Sequence, residues 1–170
     1  MRHFLNPGTA MLLLAGASAT ALAAAFIGQY LFDLQPCVLC IYQRWPYALA
    51  IAVCLGGRTP WARGAAQWVL LLTALALAVN AGIAVYHVGV EQHWWLGSEA
   101  CVGPGGAAQT LEALRAQIMA TPVTRCDEIA FSLFGVSMAG YNVLFSLGLA
   151  LYAGVAGWRA IGNNGITPPS

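Results

Sequence analysis

Pro36-Cys37-Val38-Leu39-Cys40-Ile41-Tyr42-Gln43-Arg44 sets two thiols three residues apart and an arginine four residues after the second, at the start of an otherwise apolar run. On a helix, residues three or four apart share a face, so Cys37, Cys40 and Arg44 are expected along one edge. Pro36 suits a first helical position, where its missing N–H costs nothing. Cys37 would then lie beside free backbone N–H groups at the positive end of the helix dipole. That position and a nearby arginine both favour a thiolate. An arginine inside a hydrophobic run is costly and marks a candidate functional site.

Outward from this stretch the chain is apolar. Of 170 residues, 59% are hydrophobic and 8% charged, and none is lysine. Soluble domains carry about 25% charged residues. The composition is that of a membrane protein, short enough for one small bundle. A net charge of +1 with no basic cluster gives no footing for a nucleic-acid partner.

About 20 apolar residues cross a bilayer. Four such runs are expected, at about 9–30, 37–57, 64–90 and 129–157, with connecting loops at about 28–36 and 91–128. The fold class is therefore an all-α membrane protein, a four-transmembrane-helix bundle forming a single domain over 1–170. A removed leader is the rival reading of the first run, with Arg2 ahead of it and small residues at Ala23, Ala24 and Ala25. The run outlasts the usual ~7–15-residue apolar core of a leader, which favours a retained span. Pro46 removes one backbone hydrogen bond and predicts a kink just after the cysteine pair. Trp61 and Trp68 at one end of the third run, and Tyr86, Trp94 and Trp95 at the other, mark the two membrane interfaces.

Arg2, Arg58, Arg63 and Arg159 fall on one side of this plan, which the positive-inside rule makes cytoplasmic. Both termini are then cytoplasmic. The acidic residues Asp33, Glu91, Glu99, Glu112, Asp127 and Glu128 fall on the other side, together with Arg115 and Arg125. Cys37, Cys40, Cys101 and Cys126 also fall there, in a compartment where disulfides persist. Cys54 lies deep in the second run and reads as a small buried hydrophobe.

In the long second loop, Leu111, Leu114 and Ile118 recur at helical spacing with Glu112, Arg115 and Gln117 turned away. This predicts a short amphipathic helix lying on the membrane surface, or an ordinary loop helix. Four outward cysteines allow three pairings, and spacing does not choose among them. Static bridges, thiol exchange and a zinc site joined by His87 or His93 are the three readings of these cysteines. A CxxC bridge closes too small a loop to stabilise much, and no second CxxC completes a zinc site. Exchange chemistry is favoured, and no metal is expected.

The stretch 36–44, the second cysteine pair and the four-span plan together resemble the DsbB family of bacterial inner-membrane proteins. Phe134-Gly135-Val136-Ser137-Met138 and Cys126-Asp127-Glu128 resemble the same family near its last helix. The resemblance implies a quinone-dependent thiol oxidase that reoxidises a periplasmic DsbA-like protein. It implies that Cys101 is attacked by the partner's thiolate and that Cys126 relays to Cys37. Cys40 would pass electrons to a bound quinone, ubiquinone or menaquinone. Arg44 would hydrogen-bond the quinone, and His87 would lie near it, with His93 as the competing histidine. Tyr42, Trp45 and Tyr47 would help line the ring site or simply pack. Two other readings remain: a vitamin K epoxide reductase-like enzyme, whose CxxC belongs on a later helix, and a non-catalytic membrane subunit held by two bridges.

Overall fold

The computed structural model describes residues 3–98, 101, 110–112, 115 and 124–164. Four helical spans are long and apolar enough to cross a membrane, at Pro7–Leu31, Val38–Gly56, Ala66–Glu91 and Met138–Gly162. They form an all-α, four-helix membrane bundle.

Helix α1 (Pro7–Leu31) begins with Asn6 as its cap, the side chain accepting from the Gly8 N–H at 3.1 Å. Its last turn closes through the Leu34 N–H on the Gly28 carbonyl, with Asp33 in the left-handed region at φ 52. The second span is two helices, α2 (Val38–Tyr42) and α3 (Arg44–Gly56), separated at Gln43. Pro46 has no N–H to offer the carbonyl one turn back, and the break falls within that turn. Pro36 does not take the first helical position that the sequence predicts, because α2 begins at Val38. Cys37 is the cap instead: its backbone is extended and its sulfur accepts the Cys40 N–H at 3.3 Å. A 3-10 turn at Pro60–Ala65 leads into α4 (Ala66–Glu91).

The last helix, α5 (Met138–Asn164), starts later than the apolar run beginning near 129 suggests. The residues before it form a small hairpin instead. Strands β1 (Ser132–Leu133) and β2 (Val136–Ser137) pair antiparallel, Ser132 with Ser137 and Leu133 with Val136. Phe134 and Gly135 turn between them at φ 51 and 78, the paired positive values of a tight hairpin turn. A run of apolar residues fixes burial or lipid contact but not helix, and the Phe-Gly turn decides here.

Helix α4 packs most extensively on α5, and α3 packs on α1 and α4. The shared core is built from small side chains, including Ala10, Ala15, Ala50, Ala150, Ala153 and Ala156, around Met11, Leu14, Leu70 and Leu77. Small residues let helix backbones approach where lipid offers no hydrophobic drive to associate. Leu72, Leu75, Val79, Leu144 and Leu151 stay exposed and face outward, as lipid-facing positions do. Helix α1 contributes Met11 and Leu14 to this core. The amphipathic helix expected around Leu111, Leu114 and Ile118 falls largely outside the described residues.

Candidate functional site

One end of the bundle gathers four of the five cysteines. Cys37, Cys101 and Cys126 are buried in one cluster with Leu39 and Val90, and Cys40 packs against it. The start of α2 supplies Cys37 and Cys40, whose sulfurs lie 2.8 Å apart. The loop supplies the other two. The Cys126 N–H donates to the Cys101 carbonyl at 3.0 Å, and the Cys101 N–H donates to the Ser98 carbonyl at 2.7 Å.

Burial, then the hydrogen bond with Cys101, pushes the Cys126 thiol up to about 11. The Cys37 thiol is also raised, first by its hydrogen bond with Cys40 and then by burial. The Cys40 N–H at the helix start opposes this but does not prevail. The helix end alone therefore does not make Cys37 the ready thiolate that its sequence position suggests.

Cys40 and Arg44 face a cavity of about 200 Å³, lined also by Gln43, Tyr47, His87 and Asn142 and by apolar side chains of α1 and of the hairpin segment. Cys37 is not among the lining residues. The single edge expected for Cys37, Cys40 and Arg44 is thus divided: one sulfur faces the cavity and the other faces the loop thiols. Arg44 donates to Gln29 Oε1 at 2.7 Å, and its guanidinium carbon sits 4.9 Å from the centre of the Phe26 ring. Its Nε is buried with no hydrogen-bond partner. An unpartnered buried donor of a cation is expensive, so this atom is suited to an acceptor held in the cavity.

His87 is buried on α4. Its Nε2 lies 3.5 Å from Cys37 Sγ and 3.7 Å from Glu91 Oε1, and its Nδ1 lies 3.3 Å from Gln43 Nε2. His93 lines a separate hollow with Trp94, Trp95 and Asp127. Of the three aromatics near the cysteine pair, Tyr47 lines the cavity, whereas Tyr42 and Trp45 are exposed and do not. Cys54 is buried elsewhere, its sulfur 3.4 Å from Thr73 Oγ1.

Gln29, Gln43, Asn142 and Glu91 were not singled out by the sequence reading, yet they hold Arg44 and His87 in place. The signal was present: polar side chains inside apolar spans are as costly as Arg44 and carry the same implication.

The family model for "Disulfide bond formation protein DsbB" matches residues 7–156. A "Disulfide bond formation protein B" of Xanthomonas oryzae pv. oryzae is 32% identical over 148 residues, covering 85% of this chain and 86% of that one. Its counterpart in Xanthomonas campestris pv. campestris is 31% identical over 147 residues, 84% of this chain and 86% of that one. An uncharacterised protein of Rickettsia prowazekii is 28% identical over 148 residues, 85% and 84% of the two chains. No solved structure matches. A four-span membrane bundle with its thiols collected at one end is what such a match leads one to expect, and the chain belongs to the DsbB family of disulfide bond formation proteins.

Proposed function

We propose that this membrane oxidoreductase reoxidises a periplasmic DsbA-like protein and passes the electrons to membrane quinone. The observation that carries the reading is the division of the CxxC pair: Cys40 borders the cavity with Arg44, while Cys37 is buried with Cys101 and Cys126. A partner thiolate attacks Cys101 of a Cys101–Cys126 disulfide. The bond between them breaks, and Cys126 leaves with the electron pair. Cys126 then attacks Cys37, the Cys37–Cys40 bond breaks, and Cys40 is left as a thiolate at the cavity wall. Three of these sulfurs already share one cluster, so the relay needs only short movements of the loop.

Arg44 and Cys40 would hold the quinone, with Tyr47 and His87 beside them. The unpartnered Arg44 Nε would donate to a quinone oxygen, while Gln29 and Phe26 keep the guanidinium aimed. Bound there, a quinone supplies a two-electron, two-proton acceptor, and either ubiquinone or menaquinone has this chemistry. The arginine distribution supports a bacterial inner-membrane location with both termini cytoplasmic and the thiol end periplasmic.

The test is quinone reduction followed by absorbance in detergent, with reduced DsbA-like protein as electron donor. Cys40→Ser should lose turnover while keeping its fold. Full turnover in that variant would instead leave the cysteines as static bridges.

A further inference from the structure

Behind the cysteine pair, the polar side chains of three helices form a chain of hydrogen bonds with a direction. Tyr47 Oη donates to Asn142 Oδ1 at 2.5 Å, and Ser146 Oγ donates to the same oxygen at 3.2 Å. In the structure the oxygen of the Asn142 amide faces these hydroxyls, and Ser146 Oγ accepts from Asn80 Nδ2 at 2.9 Å. The Asn142 nitrogen points the other way, donating to Gln43 Oε1 at 2.7 Å. That contact orients the Gln43 amide in turn, so Gln43 Nε2 faces His87 Nδ1 at 3.3 Å. An amide nitrogen only donates. His87 Nδ1 must accept, and the neutral ring carries its proton on Nε2. That N–H faces Cys37 Sγ at 3.5 Å and Glu91 Oε1 at 3.7 Å.

We propose that Gln43 and Asn142 are positioning residues for the redox reaction: they lock His87 with its proton on Nε2, so that the ring donates to the Cys37 sulfur whenever that sulfur carries charge. This rests on the reading of Cys37 as a reactive thiol. The relevant step is the one that resets the pair. A Cys101 thiolate attacks Cys126, the Cys126–Cys37 bond breaks, the Cys101–Cys126 bond forms, and Cys37 leaves with the electron pair as a thiolate. No proton is transferred in that exchange. The charge on Cys37 needs a hydrogen-bond donor, because Cys37 is buried with Cys40 and Cys126 beside it. The tautomer also bears on metal binding. Cys37, Cys40 and His87 present donor atoms within 4.8 Å of one another. A metal there would have to displace the Nε2 proton and break the bond from Gln43.

The experiment uses the full-length, reduced chain with 15N-labelled histidine in detergent micelles at pH 8. His3 and His93 signals are assigned by His3→Gln and His93→Gln. Long-range proton–nitrogen spectra should show wild-type His87 with its proton on Nε2. Gln43→Glu, whose carboxylate can only accept, should move the proton to Nδ1. Gln43→Met should give a mixture of both forms. Alkylation of Cys37, read by mass spectrometry, should slow in Gln43→Met in proportion to the rings that lose the Nε2 proton, and by roughly tenfold in Gln43→Glu, as expected for a lost hydrogen bond to a charged group. A wild-type proton on Nδ1 overturns the proposal and needs no variant to fold. So does a tautomer that ignores both Gln43 substitutions, or a changed tautomer with unchanged Cys37 alkylation. Neither readout involves quinone or partner, so failure here is separate from failure of the quinone assay.

Discussion

Arg44 is positioned by Gln29 and Phe26 and keeps one buried donor unspent. Arg44→Met is expected to raise the apparent KM for quinone by roughly ten- to a hundredfold, the range of a lost hydrogen bond from a charged group. Exchange with the partner protein should be nearly unchanged, which stopped-flow mixing without quinone would check. Cys126 makes a different prediction. Its thiol is pushed up to about 11, so the protonated form dominates at neutral pH and the thiolate fraction grows tenfold per unit as pH rises. Iodoacetamide labelling of Cys126 in the reduced chain should therefore climb through pH 8 to 10 without a plateau. A midpoint near pH 8.5, with labelling levelling off by about pH 10, would mean an unperturbed thiol. Cys54→Ala removes a buried sulfur that touches Thr73. It should cost about 1 kcal/mol or less and leave turnover unchanged. At this scale Cys37, Cys40 and Arg44 were legible because their spacing and cost stand out in an apolar run. Gln29, Gln43 and Asn142 were not, because their partners lie on other helices: Gln43 and Asn142 are 99 positions apart in the chain.

The elements show the same division. Four apolar runs gave four spans, since length and hydropathy are all that crossing a bilayer demands. The hairpin at Ser132–Ser137 was hidden inside an apolar run and could have been read only from its Phe-Gly turn. The break at Gln43 was foreshadowed by Pro46. What sequence did not show is that this break presents the Gln43 side chain to His87. The end of α4 has its own constraint. A Cβ on Gly89 would fall 2.0 Å from Trp95 Cζ2. Trp95 stacks on Tyr86 with ring centres 5.9 Å apart and donates from its indole N–H to the Tyr86 carbonyl at 3.0 Å. Gly89→Ala must therefore unseat Trp95, and with it the start of the loop that carries Cys101. Stability should fall by about 1–3 kcal/mol, as overpacking does. Thermal melting in detergent measures that, and slower oxidation of the partner should accompany it.

Across the whole molecule, the positive-inside reading places the Arg58 turn and the thiol end on opposite sides of the membrane. Trp61 and Leu96 are 98% and 92% exposed, one at each end. In a background without the native cysteines, Leu96→Cys should react with an impermeant maleimide added outside spheroplasts. Trp61→Cys should react only after lysis. The reverse pattern would invert the topology and end the proposed pairing with a periplasmic protein.

The two faces of the CxxC pair have a consequence for traffic through the bundle. Cys40 lines the cavity, whereas Cys37, Cys101 and Cys126 are not among its lining residues. In the proposed relay a greasy oxidant held there would meet one sulfur of the four, and the loop thiols would be spared from short-circuit by it. Electrons would then queue through that sulfur, which would make the pair a turnstile.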